Sequence, residues 1–251
     1  MGTVLTEATV RHGIKPADCF FYHSVDLPLS GHHAGTWDLR GRFDDYTGGH
    51  DFAGRTVLDI GAATGFLSFE AEKRDAIVTS FDAASAALYF QLPIAGSMFV
   101  DDYDSSLSYS EGVLEGIKNS YWLCHEELGS SARCLYGDVY GLDGPRYDTV
   151  IVGQILVHLR DGLSALAAAA RVCDDALIVV EGNLKRDDPV ALLVGSIDSP
   201  PDAWYHYSHG WYRQSLEMLG FRQVKITTAR YKCNAPTHAR QIEFATIVAS
   251  R

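Results

Sequence analysis

No stretch of the chain approaches the ~18 consecutive apolar residues that a membrane span needs. The start, MGTVLTEATVRHG, has none of the apolar core that a secretory signal carries. The expectation is an intracellular, cytoplasmic protein with no membrane partner. Cysteine is sparse: Cys19, Cys124, Cys134, Cys173 and Cys233 are widely spaced, odd in number and without a C-x-x-C pair. Neither a disulfide framework nor a cysteine-based zinc site is suggested. Positive charge is also scarce, with 21 Lys+Arg against 32 Asp+Glu and a formal charge of −11. No basic run occurs, so the long-range field repels phosphate backbones and disfavours nucleic acid as a partner. Met1-Gly2 with Thr6 formally meets a short myristoylation pattern, but no basic cluster supplies a second anchoring signal, and the match is read as chance. Internal repeats and low-complexity tracts are missing.

With 47% hydrophobic and 21% charged residues the chain has a globular composition that excludes disorder as its main state. From residue 55 onward apolar runs alternate with helical stretches, the pattern of an α/β fold in which a sheet is wound with crossover helices. Predicted strands are 56–60, 77–81, 133–136, 149–152 and 176–180, then 223–228 and 243–250. The last two are joined without a helix and so suggest an antiparallel pair. The expected architecture is a doubly wound, mostly parallel, seven-stranded sheet with that C-terminal pair. Predicted helices cover 66–74, 112–128, 162–172 and a run ending near Gly220, a helix-stop position. Residues 1–50, rich in Gly, His and Asp with interleaved aromatics, read as an N-terminal cap on a domain of 51–251, with a variable insertion near 84–111.

The most informative segment, Val57-Leu58-Asp59-Ile60-Gly61-Ala62-Ala63-Thr64-Gly65-Phe66, runs from a hydrophobic strand through small residues into a helix. Glycine there permits a backbone approach to a ligand that larger side chains would block. The spacing differs from the G-x-G-x-x-G turn that cradles a pyrophosphate. Asp82 ends the next strand, where a carboxylate can accept the protons of two ribose hydroxyls, a feature shared with nicotinamide-binding folds. Asp138-Val139 ends the third strand. The fourth, closing on Gly153-Gln154, runs into Ile155-Leu156-Val157-His158-Leu159-Arg160-Asp161. Each residue also has a plain structural reading: Asp59 as a brace for the turn, Asp138 as a solvated loop acid, His158 as a packed histidine.

Taken in order, these segments resemble motifs I to IV of the class I S-adenosylmethionine-dependent methyltransferases, with Ala63 in place of that family's usual middle glycine. Phe21–Pro28, Gly35–Arg40, Trp122–Ser130 and Leu156–Asp161 are similar to the branch that includes the tRNA wobble-uridine carboxymethyltransferases and related small-molecule methyltransferases. Ala84–Glu111 has no counterpart there. The resemblance implies S-adenosylmethionine as cofactor and S-adenosylhomocysteine as product, held by Tyr22, Arg40, Asp59, Gly61, Ala62, Thr64, Gly65, Phe66, Asp82, Asp138, Val139, Gly153 and Gln154. In the family the glycine turn passes under the methionine moiety and the helix start faces its carboxylate.

Methyl transfer from a sulfonium is a direct displacement, so alignment and exclusion of water matter most. A base is needed only if the acceptor must lose a proton, and His158, Glu181, His206 and His209 are the candidates, with Tyr22 and His23 on the cap. No metal ligand set is assigned, because the His206-x-x-His209 spacing is weak evidence for one. Trp204–Tyr212 is either an acceptor wall or an aromatic anchor for the following helix. The expected reaction is methyl transfer to a small-molecule acceptor. The alternatives are methyl or carboxymethyl transfer to a tRNA wobble uridine, a catalytically silent cofactor-binding module, and a nicotinamide-dependent oxidoreductase, which the turn spacing disfavours.

Overall fold

The computed structural model describes residues 5–88, 103–195, 203–235 and 240–251. Seven strands carry the core: β1 (Thr56–Ile60), β2 (Ile77–Ala83), β3 (Arg133–Gly137), β4 (Tyr147–Gly153), β5 (Cys173–Gly182), β6 (Gln223–Cys233) and β7 (Arg240–Ser250). Their order in the sheet is β3-β2-β1-β4-β5-β7-β6. Pairing is parallel from β3 through β5 and antiparallel where β7 meets β5 and β6.

Among the described residues the sheet has nine strands rather than the seven expected, because two short ones come from the N-terminal region. Thr6–Glu7 pairs with β3 at one edge and Trp37–Asp38 with β6 at the other. Part of the presumed cap thus covers ladder groups that an open edge would leave bare. A hairpin of Val25–Leu27 and Gly31–His33 completes this region. β6 runs five residues past its predicted end, to Cys233, since Arg230 and Lys232 alternate with inward Tyr231 and Cys233 and mask the strand in a hydropathy reading.

Besides the single turn Phe43–Tyr46, four longer helices among the described residues flank the sheet: α1 (Phe66–Glu72), α2 (Tyr103–Leu128), α3 (Gly162–Arg171) and α4 (His209–Met218). Of the stretch 84–111, expected as an insertion, residues 89–102 lie outside the described residues. The remainder from Tyr103 on is the first part of α2. The period of two along the strands sorts the core. Leu58, Ile60, Val150, Val152, Leu177 and Val179 face α3 and α4. Val57, Ile151, Ile178 and Val180 pack with Phe66 and Leu67 of α1 and with Phe43, Tyr46 and Phe52. Chain order reverses between β1 and β4, and the crevice outside the carboxyl ends of strands at such a point is where open α/β sheets bind ligands.

Candidate functional site

The turn after β1 is built from left-handed backbone: φ is +84° at Gly61, +48° at Ala63 and +86° at Gly65. A Cβ on Gly61 would stand 2.2 Å from Ile155 Cγ2, and one on Gly65 2.3 Å from Phe69 Cε2, so neither position has room for another residue. Ala63 holds a conformation that disfavours it, and its amide donates to Asp82 Oδ2 at 2.8 Å. Gly61 N and Ala62 N both donate to Phe81 O. The turn is therefore stitched to the end of β2.

Asp82 also accepts the Ala83 amide through Oδ1 at 2.7 Å, which leaves each oxygen a further lone pair. Burial raises its carboxyl above the ordinary value, and the two amides and the Lys118 ammonium oppose that rise. Lys118, on α2, donates to Ala84 O at 2.8 Å and lies over the Tyr136 ring. Asp59 sits beneath the turn and is fully buried. Its Oδ2 accepts from Ser68 Oγ at 2.6 Å, Ser68 and Ser80 hydroxyls are 2.7 Å apart, and Tyr121 Oη donates to Ser80. Its Oδ1 has no hydrogen-bond partner among the described residues, and burial pushes the carboxyl up to about 7. The bracing reading of Asp59 is the one its Ser68 bond fits.

Thr64 ties the cap to this turn. Its buried Oγ1 accepts the Tyr22 amide at 2.9 Å and the His23 amide at 3.3 Å and lies 3.1 Å from the Ser120 hydroxyl. Across the reversal point Gly153 and Gln154 follow β4, Gln154 at φ +52° with its amide donating to Val180 O. Glu181, 2% exposed, accepts the Leu156 amide at 2.7 Å, and the Ile155, Val157 and Gly182 amides also favour its charged form. Burial outweighs them and pushes its carboxyl up to about 8. Ile155 packs on Gly61, so Glu181 fixes the turn that closes over the glycine turn. A narrow crevice lies here, bounded by Tyr22, His23 and Trp37 of the cap and by Gly61, Gly153 and Gln154.

Not every expected site residue lines this crevice. Arg40 is not at the crevice. Its guanidinium pairs with Asp38 and Asp26 in a separate open depression beside Arg42, Arg230 and Lys232, because the hairpin brings Asp26, and the edge strand Asp38, to that side. Asp138 accepts the Tyr140 amide at 3.0 Å and caps a short turn, and the Val139 side chain is in the core. Phe66 is buried beside His23. His206 lies over Gly182 at the end of β5, and Trp204 N donates to Val157 O beside His158, so these groups gather at one end of the sheet. His209 faces Asn183 Oδ1 at 2.8 Å and Asn183 bonds Glu243. Burial holds the imidazolium pKa of both His206 and His209 below the ordinary histidine value, which favours the neutral rings. In the aromatic segment Trp204, Tyr207 and Tyr212 are buried, with Tyr207 and Trp211 rings 4.1 Å apart. These rings anchor α4, and Tyr205, His206 and Trp211 keep partial exposure. Ser68, Ser80, Tyr121 and Lys118 carry no local signal in the sequence, because only strand pairing and the docking of α2 bring them to the turn.

No family model and no curated protein sequence matches the chain. Solved structures do. A magnesium protoporphyrin IX methyltransferase from Synechocystis with bound S-adenosylhomocysteine superposes with a TM-score of 0.52 at 16% identity, over 83% of this chain and 80% of that one. The fold is that of the class I S-adenosylmethionine-dependent methyltransferases. An S-adenosylmethionine-dependent methyltransferase from Aquifex aeolicus gives 0.50 at 17% identity, over 86% and 90%. An O-methyltransferase family protein from Burkholderia thailandensis gives 0.53 at 12%, over 85% of this chain and 56% of that one.

Thr64→Val keeps the shape of the side chain but leaves the Tyr22 and His23 amides without their acceptor, at a cost of about 1–3 kcal/mol. Limited proteolysis should then cut the segment 5–50 faster than in the parent; equal rates contradict the tether. The folded chain also holds protons on Asp59 and Glu181 that the unfolded chain has released. Their stabilisation is complete below the ordinary carboxylate range and is lost as pH rises through about 7 and about 8. In urea unfolding from about pH 5 to about pH 8, Glu181→Gln should flatten the decline; an unchanged slope contradicts the burial of a protonated Glu181.

Proposed function

We propose that the chain transfers a methyl group from S-adenosylmethionine to a small-molecule acceptor and releases S-adenosylhomocysteine. One observation carries the reading: the Gly61–Gly65 turn and Asp82 meet through the Ala63 amide, at the carboxyl end of a sheet with methyltransferase topology. The residues fit the cofactor. Asp82 retains lone pairs for two ribose hydroxyls, and the backbone at Gly61, Gly153 and Gln154 borders a narrow crevice beside the same turn. Asp138 and the Val139 backbone follow the end of β3, which pairs with the Asp82 end of β2, and would take the adenine. When bound, the cofactor supplies an electrophilic methyl carbon.

The chain's own part is alignment and exclusion of water. Thr64 holds the cap over the turn, and Glu181 holds the Ile155–Val157 turn against it. His206 is the better-placed base for an acceptor that must lose a proton, because it is neutral and partly exposed, whereas the His209 ring is engaged by Asn183. His158 stands on the same side as an alternative. A negative field with no basic run supports a small molecule over nucleic acid as acceptor. Among the described residues no helix is long and apolar enough to cross a membrane, and we place the protein in the cytoplasm.

Calorimetry should detect binding of S-adenosylmethionine and of S-adenosylhomocysteine. Asp82→Ala should weaken both by about 1.5–3 kcal/mol, the loss of a charge-assisted hydrogen bond. No heat with either ligand contradicts the proposal, and an unchanged affinity in the variant moves the ribose away from Asp82.

A further inference from the structure

One buried histidine at the crevice has no part in the chemistry above. His23 is 6% exposed and lines the crevice beside Gly61, Gly153 and Gln154. Its backbone is fixed by its amide on Thr64 Oγ1 and by a bridge to Trp37, and its ring lies against Tyr22 and Phe66. The ring itself has an unsatisfied atom: Nδ1 is buried with no hydrogen-bond partner among the described residues. Buried polar atoms nearly always find a partner, so this nitrogen is open to a hydrogen bond from a ligand.

We infer that His23 Nδ1 binds the amino-acid end of the cofactor proposed above, so that the N-terminal cap as well as the sheet recognises this ligand. The inference rests on that proposal. Three observations support it. The crevice adjoins the Gly61 turn and is too narrow for a nucleoside, and the nucleoside is already assigned to Asp82. An α-amino acid group offers both an ammonium donor and a carboxylate acceptor, so it matches Nδ1 in either tautomer. Burial pushes the His23 imidazolium down to about 3, which keeps the ring neutral and removes any repulsion toward an ammonium.

The test is calorimetry on the full chain with two probes, S-adenosylhomocysteine and methylthioadenosine, which share the thioether nucleoside and differ by the amino-acid end. The parent should bind the first more tightly. His23→Leu should weaken S-adenosylhomocysteine by about tenfold or more and leave methylthioadenosine within about twofold, and His23→Asn, which presents a polar group near the Nδ1 position, should recover part of the loss. An unchanged S-adenosylhomocysteine affinity in His23→Leu, or equal weakening of both probes, overturns the inference. Equal affinity of the parent for the two probes overturns it alone, with no variant needed. Failure of the parent to bind either probe overturns the cofactor proposal and this inference with it.

Discussion

The site depends on the hydrogen bond that fixes its carboxylate: the amide of Ala63, held in left-handed backbone, donates to Asp82 at the end of β2. The turn cannot relax without releasing Asp82, and Asp82 cannot swing away without orphaning the amide. Packing locks the same geometry from both sides, Ile155 against Gly61 and Phe69 against Gly65. Strained local backbone persists only where its surroundings over-determine it, and here strand pairing, an amide–carboxylate bond and two close contacts do so together.

Around that joint three acids have different tasks set by their surroundings. Asp82 is half-buried and bonded through backbone amides, with capacity left for a ligand. Asp59 lies fully inside and braces α1 through Ser68. Glu181 gathers amides of the turn after β4. Two acids thus position backbone and one is available for recognition. The cap joins the same unit through the Thr64 hydroxyl, so the shape of the crevice depends on both the sheet and residues far upstream in sequence.

Much of this is legible in the chain. Apolar runs such as 56–60 and 176–180 announce interior strands because parallel strands are buried on both faces. The glycine turn and the acid near the end of β2 follow from chemistry that tolerates few other residues. Legibility fails where position depends on distant partners. Arg40 reads as a ligand contact because nothing in sequence shows that a hairpin brings Asp26 beside it. Glu181 reads as a base, and only its burial among backbone amides shows the positioning task. The outer half of β6 is hidden by exposed Arg230 and Lys232, and the edge strands of two residues each are too short to carry a periodic signal.

The most direct test of the central claim is a crystal structure of the chain grown with S-adenosylhomocysteine. The expected result has the ribose hydroxyls on the Asp82 carboxylate and the amino-acid end between Gly61, Gln154 and the cap. A nucleoside seated away from the Gly61–Gly65 turn, or one whose ribose leaves Asp82 untouched, contradicts it.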